Sequence, residues 1–357
     1  MKTGKSNLLR LLGVAAFCSL PLLIFSQEAS TCAGNLKNAQ SLFDKGQVEM
    51  VPGILSECMK SGFKREEQLA AYKLLIQSYL FEDKLEQADS TMLAFLKNNP
   101  EYQVSPTDHS SFVNLYNTFK VKPVFQLSVH IGTNIPFVTF IDTKTTAGMA
   151  GKSGYRSQQL VNPYASLEGR FEITKQIEVN IEAGYSQLNF TNIEDFVGFG
   201  GVVFDRTTYN ESQNRIEVPV SVNYNIKSFG KLTPYARLGF GPAFTFSSTA
   251  KKVVLKPTDI NNLISPTGPD IDMTDSRTHT DIFMQIGAGV KYKTRGGYFF
   301  AELRSNFGML GQTVRGGTSA EELGWFYKYV DDGFHLNAFN FNFGYTQIFY
   351  KPSKRKE

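Results

Sequence analysis

From Pro123 to the end of the chain, apolar and polar side chains alternate with a period of two. Few features restrict a fold more, because successive side chains of a strand point to opposite faces of its sheet. Phe125, Leu127, Val129 and Ile131 alternate with Gln126, Ser128 and His130. Comparable runs occupy 161–173, 177–185, 215–224, 237–246, 282–292, 299–307 and 334–350. In the last run Leu336, Phe339, Phe341, Phe343 and Tyr345 form the apolar set, with Asn340, Asn342, Gly344 and Thr346 between them. That makes eight strands, each about 10 to 15 residues long, against five or six in soluble sheets and the 9–11 that cross a bilayer. The connections alternate short ("TKQ", "NIKSFGK", "KTRGG") and long, around 134–160, 191–213, 248–278 and 309–333. Phe171, Tyr224, Tyr292, Phe299 and Phe349 fall on the apolar face near the tight turns or the chain end, where an interfacial girdle belongs. Aromatics are 13% of the chain, with 30 Phe and 16 Tyr against one Trp. The pattern predicts an eight-stranded antiparallel transmembrane barrel over 123–350, with lipid outside and a polar lumen inside. Even parity puts both barrel ends on the tight-turn side, the periplasmic side in such barrels.

Basic residues and the apolar run from Leu8 to Phe25 predict a signal peptide over 1–26 and export to the outer membrane. The formal charge of +4 rests largely on Lys2, Lys5 and Arg10 in that leader. The remainder is close to neutral and shows no basic stripe, which sets nucleic acid aside as a partner. Cys32 and Cys58 are the cysteines left after cleavage, and in an exported chain they predict a disulfide.

Over 32–120 the period is helical. "AYKLLIQSYLFEDKLEQADSTMLAFLKNNP" places Tyr72, Leu75, Tyr79, Ala88, Met92, Phe95 and Pro100 at the offsets of a helical hairpin. The stretch resembles a tetratricopeptide unit, although Ile76 and Phe95 stand where small residues are usual. A weaker copy precedes it through Leu42, Gly46, Val48, Val51 and Leu55. The resemblance implies a small α-helical domain with a surface for a periplasmic protein partner. A basic tail, 351–357, ends the chain.

Leader, helical segment and eight-strand meander together resemble the PorT-type outer-membrane barrel proteins of Bacteroidota, through strands such as "VNIEAGYSQLNF" and "YARLGFGPAFTF". That resemblance implies an outer-membrane location and a part in secretion or surface assembly. It supplies no catalytic residue.

The polar face carries Glu168, Glu172, Glu178, Glu182, Glu217 and Glu302 with Arg170, Arg215, Arg237, Lys291 and Arg304. Side chains fill a lumen this narrow, and buried charges must pair. The expectation is an ion-pair network that closes the barrel. His279 and His335, near Asp281, Asp331 and Asp332, offer an acid–base dyad at the rim. Asp270, Asp272 and Asp275 in "DIDMTD" lack the glycine and distal glutamate of an EF-hand. "GFGG" at 198–201 precedes no helix pattern. The reading is a non-enzymatic anchor without metal or cofactor, resting in outer-membrane lipid. The alternative is a surface hydrolase or adhesin acting through the long loops.

Overall fold

The structure, a computed structural model, describes residues 25–60, 62–142, 152–157, 162–197, 203–257, 268–314, 323, 325–327, 329 and 331–355. The expected signal peptide lies, but for Phe25 and Ser26, outside the described residues, as does "GFGG". Two compact units divide the chain: Met1–Lys122 with Tyr350–Glu357, and Pro123–Phe349.

In the first unit the helices are α1 (Phe25–Asp44), α2 (Val51–Ser56), α3 (Arg65–Phe81), α4 (Leu85–Asn98) and α5 (Ser110–Asn117). α3 and α4 pack on each other through Tyr72, Ile76, Met92, Phe95 and Leu96, with Phe112 of α5 joining them. Ile76 and Phe95 are fully buried. Phe95 meets Tyr72, Tyr102 and Phe112 edge-on at 5.9, 5.0 and 5.6 Å, so the large ring fills this core. The weaker copy is shorter than a helical hairpin: a 3-10 turn at Val48–Met50 leads into the six-residue α2. Val51 and Leu55 bury themselves against α1 and α3. Cys32 of α1 and Cys58, just past α2, form a disulfide with Cα atoms 5.6 Å apart.

Residues 351–354, expected as tail, continue the last strand and belong to this unit. Tyr350 Oη donates to Glu101 at 2.9 Å, Lys354 Nζ meets Asp89 at 2.5 Å, and the Arg355 amide donates to the Thr118 carbonyl at 2.7 Å.

The second unit is an antiparallel barrel-like sheet. Its strands are β1 (Phe119–Asp142), β2 (Lys152–Ser157), β3 (Asn162–Glu172), β4 (Ile177–Val197), β5 (Val203–Glu217), β6 (Val220–Asn225), β7 (Leu232–Pro257), β8 (Ile271–Asp272), β9 (Thr280–Thr294), β10 (Gly297–Gly308) and β11 (Gly333–Lys354). β1 pairs with β3 and β11, β3 with β4, and β4 with both β5 and β6. Those two pair with β7, which continues to β9, β10 and β11. The ladders thus run round a ring, to which β2 and β8 are short additions on β4 and β7. The ring is uneven at β5 and β6, which share one wall position and are split at Val218-Pro219. Proline has no N–H for the ladder. The Pro219 carbonyl still accepts from Glu182, and Val218 N donates to Pro242 O, so the wall stays hydrogen-bonded across the break.

Residues 119–122 already belong to β1, which the alternation dates only from Pro123. Several strands also run well past the expected 10 to 15 residues: β1 has 24, β4 21, β7 26 and β11 22. Much of 191–213 and 248–257, expected as loop, is therefore strand. Thr191 and Asn210 face each other there and are hydrogen-bonded at 3.0 Å. Cross-strand pairs of this kind hold a polar hairpin as well as apolar ones do.

The faces are inverted relative to a soluble sheet. Phe339, Phe341 and Phe343 are 51, 48 and 52% exposed, while Asn340, Asn342 and Thr346 between them are buried. Leu238, Phe240, Ile286 and Leu303 likewise face outward. Leu336 departs from the expected face. With Phe334 and Ala338 it shares the parity of Asn340, so it points inward and packs with Leu188 and Phe190. At the seam between β1 and β11, Gly132 and Gly344 are required. A Cβ on Gly344 would lie 1.9 Å from the Val129 carbonyl, and one on Gly132 would lie 2.3 Å from that of Phe341.

Candidate functional site

The inward-facing charges of β3, β4, β7 and β10 converge in one buried layer. Arg237 Nη1 donates to Glu168 at 2.6 Å, and its Nε lies 2.9 Å from Glu302. Arg304 Nη1 reaches both oxygens of Glu182, at 3.0 and 2.8 Å, while its Nε donates to Glu302 at 2.5 Å. Arg170 pairs with Glu168. It also donates to Tyr298 Oη at 3.1 Å, and Phe300 lies under its guanidinium at 5.0 Å. Three carboxylates thus face three guanidiniums, so burial leaves no uncompensated charge in this layer. Tyr164 and Tyr235 complete it by donating to Glu182 and Glu302, each at 2.6 Å.

Towards the tight-turn end, Lys291 Nζ contacts both oxygens of Glu178 at 2.7 Å and Asn225 Oδ1 at 2.8 Å. Towards the other end, Arg215 donates to Gln312 at 2.6 Å and lies 3.6 Å from Asp281. Glu217 accepts from Asn306 at 3.3 Å. Glu172 is the exception among the expected network residues. It is the last residue of β3, where the strand meets its tight turn, and it is exposed rather than enclosed.

Beside the apolar cluster of Leu188, Phe190, Phe334 and Leu336 lies a second charged cluster: Glu211 is the register partner of Phe190, and the Arg277 guanidinium lies 5.3 Å from the Phe334 ring. Arg277 Nε and Nη2 bind Glu211 at 2.7 and 2.8 Å, and Nη1 binds Asp331. Glu211 also accepts from Gln213 and Ser248 at 2.7 and 2.9 Å. Sequence reasoning missed Glu211 and Arg277 because both sit in stretches read as loop. The signal was present in the parity of β5, where Glu211, Gln213, Arg215 and Glu217 share one face. Outside this cluster Tyr209, Val253, Met273, Leu323, Tyr327 and Tyr329 form an apolar core of the soluble kind.

His130, His335 and His279 test whether catalysis is built in. His130 sits beside the central layer, where Arg304 Nη2 donates to its Nδ1 at 3.1 Å. Its Nε2 lies 3.8 Å from Glu168, too far for a hydrogen bond. His130, Glu168 and Glu182 bring ligand atoms within 4.8 Å of one another. The set does not fit a cation, since Arg237 and Arg304 already occupy both carboxylates and Arg304 takes the imidazole lone pair. His335 Nδ1 lies 3.2 Å from the Leu310 carbonyl. Neither His335 nor His279 meets a carboxylate among the described residues. Asp272 accepts from the Thr274 amide and hydroxyl at 2.9 and 2.6 Å, two residues before a short 3-10 turn begins.

Two outward aromatic belts bound the apolar face. One holds Phe125, Phe171 and Phe349, with Phe299 against Tyr345. The other holds Tyr185 with Phe246 and Phe137 with Phe339. On β7, Ala236 is level with Tyr224 of the first belt, and Phe246 of the second lies ten residues further along. At about 3.3 Å per residue and a tilt of about 40°, that spacing is about 25 Å, the height of the apolar band of outer-membrane barrels. No described helix is long and apolar enough to cross a membrane.

Residues 122–311 match the outer membrane protein beta-barrel domain family. The chain belongs to that family. Its location is accordingly the outer membrane. Among solved structures it is similar to the outer membrane protease OmpT from Escherichia coli, at 9% identity and a TM-score of 0.40, over 64% of this chain and 98% of that one. It is also similar to OprG from Pseudomonas aeruginosa, at 10% identity and 0.33, over 64% and 97%. For the attachment invasion locus protein Ail of Yersinia pestis the figures are 12% and 0.27, over 62% and 99%. Likeness of this degree carries no activity over to this chain. No curated protein matches it.

Proposed function

We propose that this protein is a non-enzymatic, closed outer-membrane barrel of eight wall strands that anchors a helical interaction module in the periplasm, where both chain ends lie. The observation that carries the reading is the central layer of Glu168, Glu182 and Glu302 against Arg170, Arg237 and Arg304. These residues spend the interior on mutual pairing rather than on a substrate or a permeation path. The PorT-type resemblance makes secretion or surface assembly the fitting process, and the tetratricopeptide-like α3–α4 pair the fitting partner surface. Supporting this, Met50 and Phe81 of the helical unit remain 56 and 61% exposed.

The test is a pair of deletions in cells. Removing 35–119 should leave a membrane-inserted, heat-modifiable barrel and abolish the cellular function, whereas trimming the long connections should leave it. The reverse outcome favours the adhesin reading. One observation supports that second reading: Trp325, the chain's one tryptophan, is 84% exposed beside Phe326 on the β10–β11 connection.

A further inference from the structure

Basic residues crowd the three tight turns of the barrel unit. "TKQ", "NIKSFGK" and "KTRGG" hold Lys175, Lys227, Lys231, Lys293 and Arg295 and no acidic residue. The four long connections, 134–160, 191–213, 248–278 and 309–333, hold ten basic residues against thirteen acidic ones. The excess of positive charge therefore belongs to one end of the wall. All five tight-turn cations are exposed. Among the described residues, Glu172, three positions before Lys175, is the exposed carboxylate at this end of the unit. The second aromatic belt has no such collar. Within four residues of Phe137, Tyr185, Phe246 and Phe339 along their strands, no exposed lysine or arginine occurs.

The register puts the collar at the depth of lipid headgroups. Lys293 and Arg295 lie one and three residues past Tyr292 of the first belt, and Lys227 lies three past Tyr224. Lys231 adjoins Leu232, the register partner of Tyr292. At about 3.3 Å per residue and a tilt of about 40°, one to three residues span about 2.5–8 Å. Each headgroup layer of a bilayer is about 5–7 Å thick, and lysine and arginine extend their charged heads into it from apolar surface.

Apolar side chains on the same turns point to a bilayer rather than to water. Phe229 is 68% exposed and Ile173 66%. Phe229 and Leu232 exchange backbone bonds at 2.8 and 3.1 Å across the turn, where Gly230 takes φ +64°. Directly opposed residues of a ladder share a face, so Phe229 points outward with Leu232, and in sequence it stands between Lys227 and Lys231. Ile173 lies two residues past Phe171 of the belt. Outward apolar groups flanked by cations fit the boundary between acyl chains and charged headgroups.

We infer that the tight-turn end of the barrel binds anionic phospholipid headgroups of the leaflet it meets, through Lys175, Lys227, Lys231, Lys293 and Arg295. The inference rests on the membrane placement of the proposed barrel but not on its partner.

The test uses the full-length protein in phosphatidylcholine nanodiscs carrying increasing fractions of phosphatidylglycerol, with the lipids retained on the protein read by native mass spectrometry. Wild type should retain phosphatidylglycerol over phosphatidylcholine. Lys227→Gln with Lys231→Gln should lower that preference about 25-fold, at about fivefold per cation at a lipid surface. Neutralising all five sites should leave the two lipids bound equally. As a control, Lys251→Gln with Lys256→Gln removes two charges from the far extension of β7 and should keep the wild-type preference. No preference in wild type overturns the inference, and so does a preference kept by the five-site variant. An equal fall in the control would make net charge the cause and overturn it as well. Displacement by soluble glycerol phosphate as effective as by phosphatidylglycerol would assign the collar to a soluble anion. A photo-crosslinker at Ser228 that captures protein and no phospholipid in native envelopes would assign it to a protein interface. Either result sinks the lipid assignment. Heat-modifiability is measured on every protein first. Its loss from wild type would strike the membrane barrel itself, and its loss from the five-site variant leaves the double variant to decide.

Discussion

At the scale of single residues, the interior is ordered by what each guanidinium can span. Arg304 bridges Glu182 and Glu302 while also donating to His130, which a planar fork with five donors can do and an ammonium cannot. Replacing Arg304 by Met leaves two buried carboxylates short of a partner, a change that costs about 3–5 kcal/mol. The midpoint of heat-modifiability or of urea unfolding should fall accordingly, and Arg304→Lys should restore only part of it. On the outer face, Val220 is 40% exposed at the start of β6, level with Phe240 between the two aromatic belts. Val220→Arg should cost about 2–4 kcal/mol in bilayers, where Val220→Ile costs little. A cost confined to detergent-free water would mean that this face does not meet lipid. Parity alone made most of these charges legible. Glu172 was misplaced because alternation does not say where a strand ends, and Leu336 because "LNAF" admits an apolar residue on either face. The position of His130 on the polar face was readable, but its bond to Arg304, held on a distant strand, was not.

At the scale of elements, the strands are longer than hydrophobic alternation reveals. In β4 and β5 the outward side chains change from Tyr185 and Ile216 to Gln187, Asn189, Asn210 and Ser212 without a break in the ladder. A polar hairpin projecting into water shows no lipid-facing run, so its sequence looks like loop. The helical unit illustrates the converse, where apolar spacing located α3 and α4 but a polar cluster secures the segment between α4 and α5. Asp108 accepts from Lys73 at 2.6 Å, from Tyr102 at 2.5 Å and from the Ser105 amide at 2.8 Å. Burial works against the ionised carboxyl, but the bonds from Lys73, Tyr102 and Ser105 outweigh it and hold Asp108 below the ordinary carboxylate range. A carboxyl depressed on folding contributes stability that is present above its unfolded value, near 4, and is lost as pH falls through its folded value. The helical unit should therefore lose helicity by circular dichroism as the pH falls below about 4. Asp108→Asn should be less stable at neutral pH by about 1–3 kcal/mol, the range for a lost charged hydrogen bond, and should lose part of that acid dependence. An unchanged acid dependence would place the effect on another carboxyl.

At the scale of the whole molecule, the question is whether the barrel conducts. Its interior changes character along the axis: Glu178–Lys291, then the six-membered charged layer, then a level where Leu188, Phe190, Phe334 and Leu336 stand beside Glu211–Arg277–Asp331. An ion would have to cross a paired charged layer and then a level filled by apolar side chains and a second paired cluster, and a carboxylate or guanidinium released from its partner to let it pass would lose several kcal/mol. Purified protein in planar bilayers should accordingly show no steady conductance. The informative variant removes bulk without creating net charge: Arg304→Ala with Glu182→Ala deletes one pair and keeps the remaining carboxylates and guanidiniums balanced at two each. That double variant should stay folded more readily than either single one, because neither partner is left buried alone. Adding Phe334→Ala thins the next level along the axis. If the lumen is closed by side chains, the triple variant should give small steady current steps while wild type and Phe334→Ala alone stay silent. Steady current through wild type would instead mean that the charged layer is a permeation path, and a transport function would replace the anchoring one.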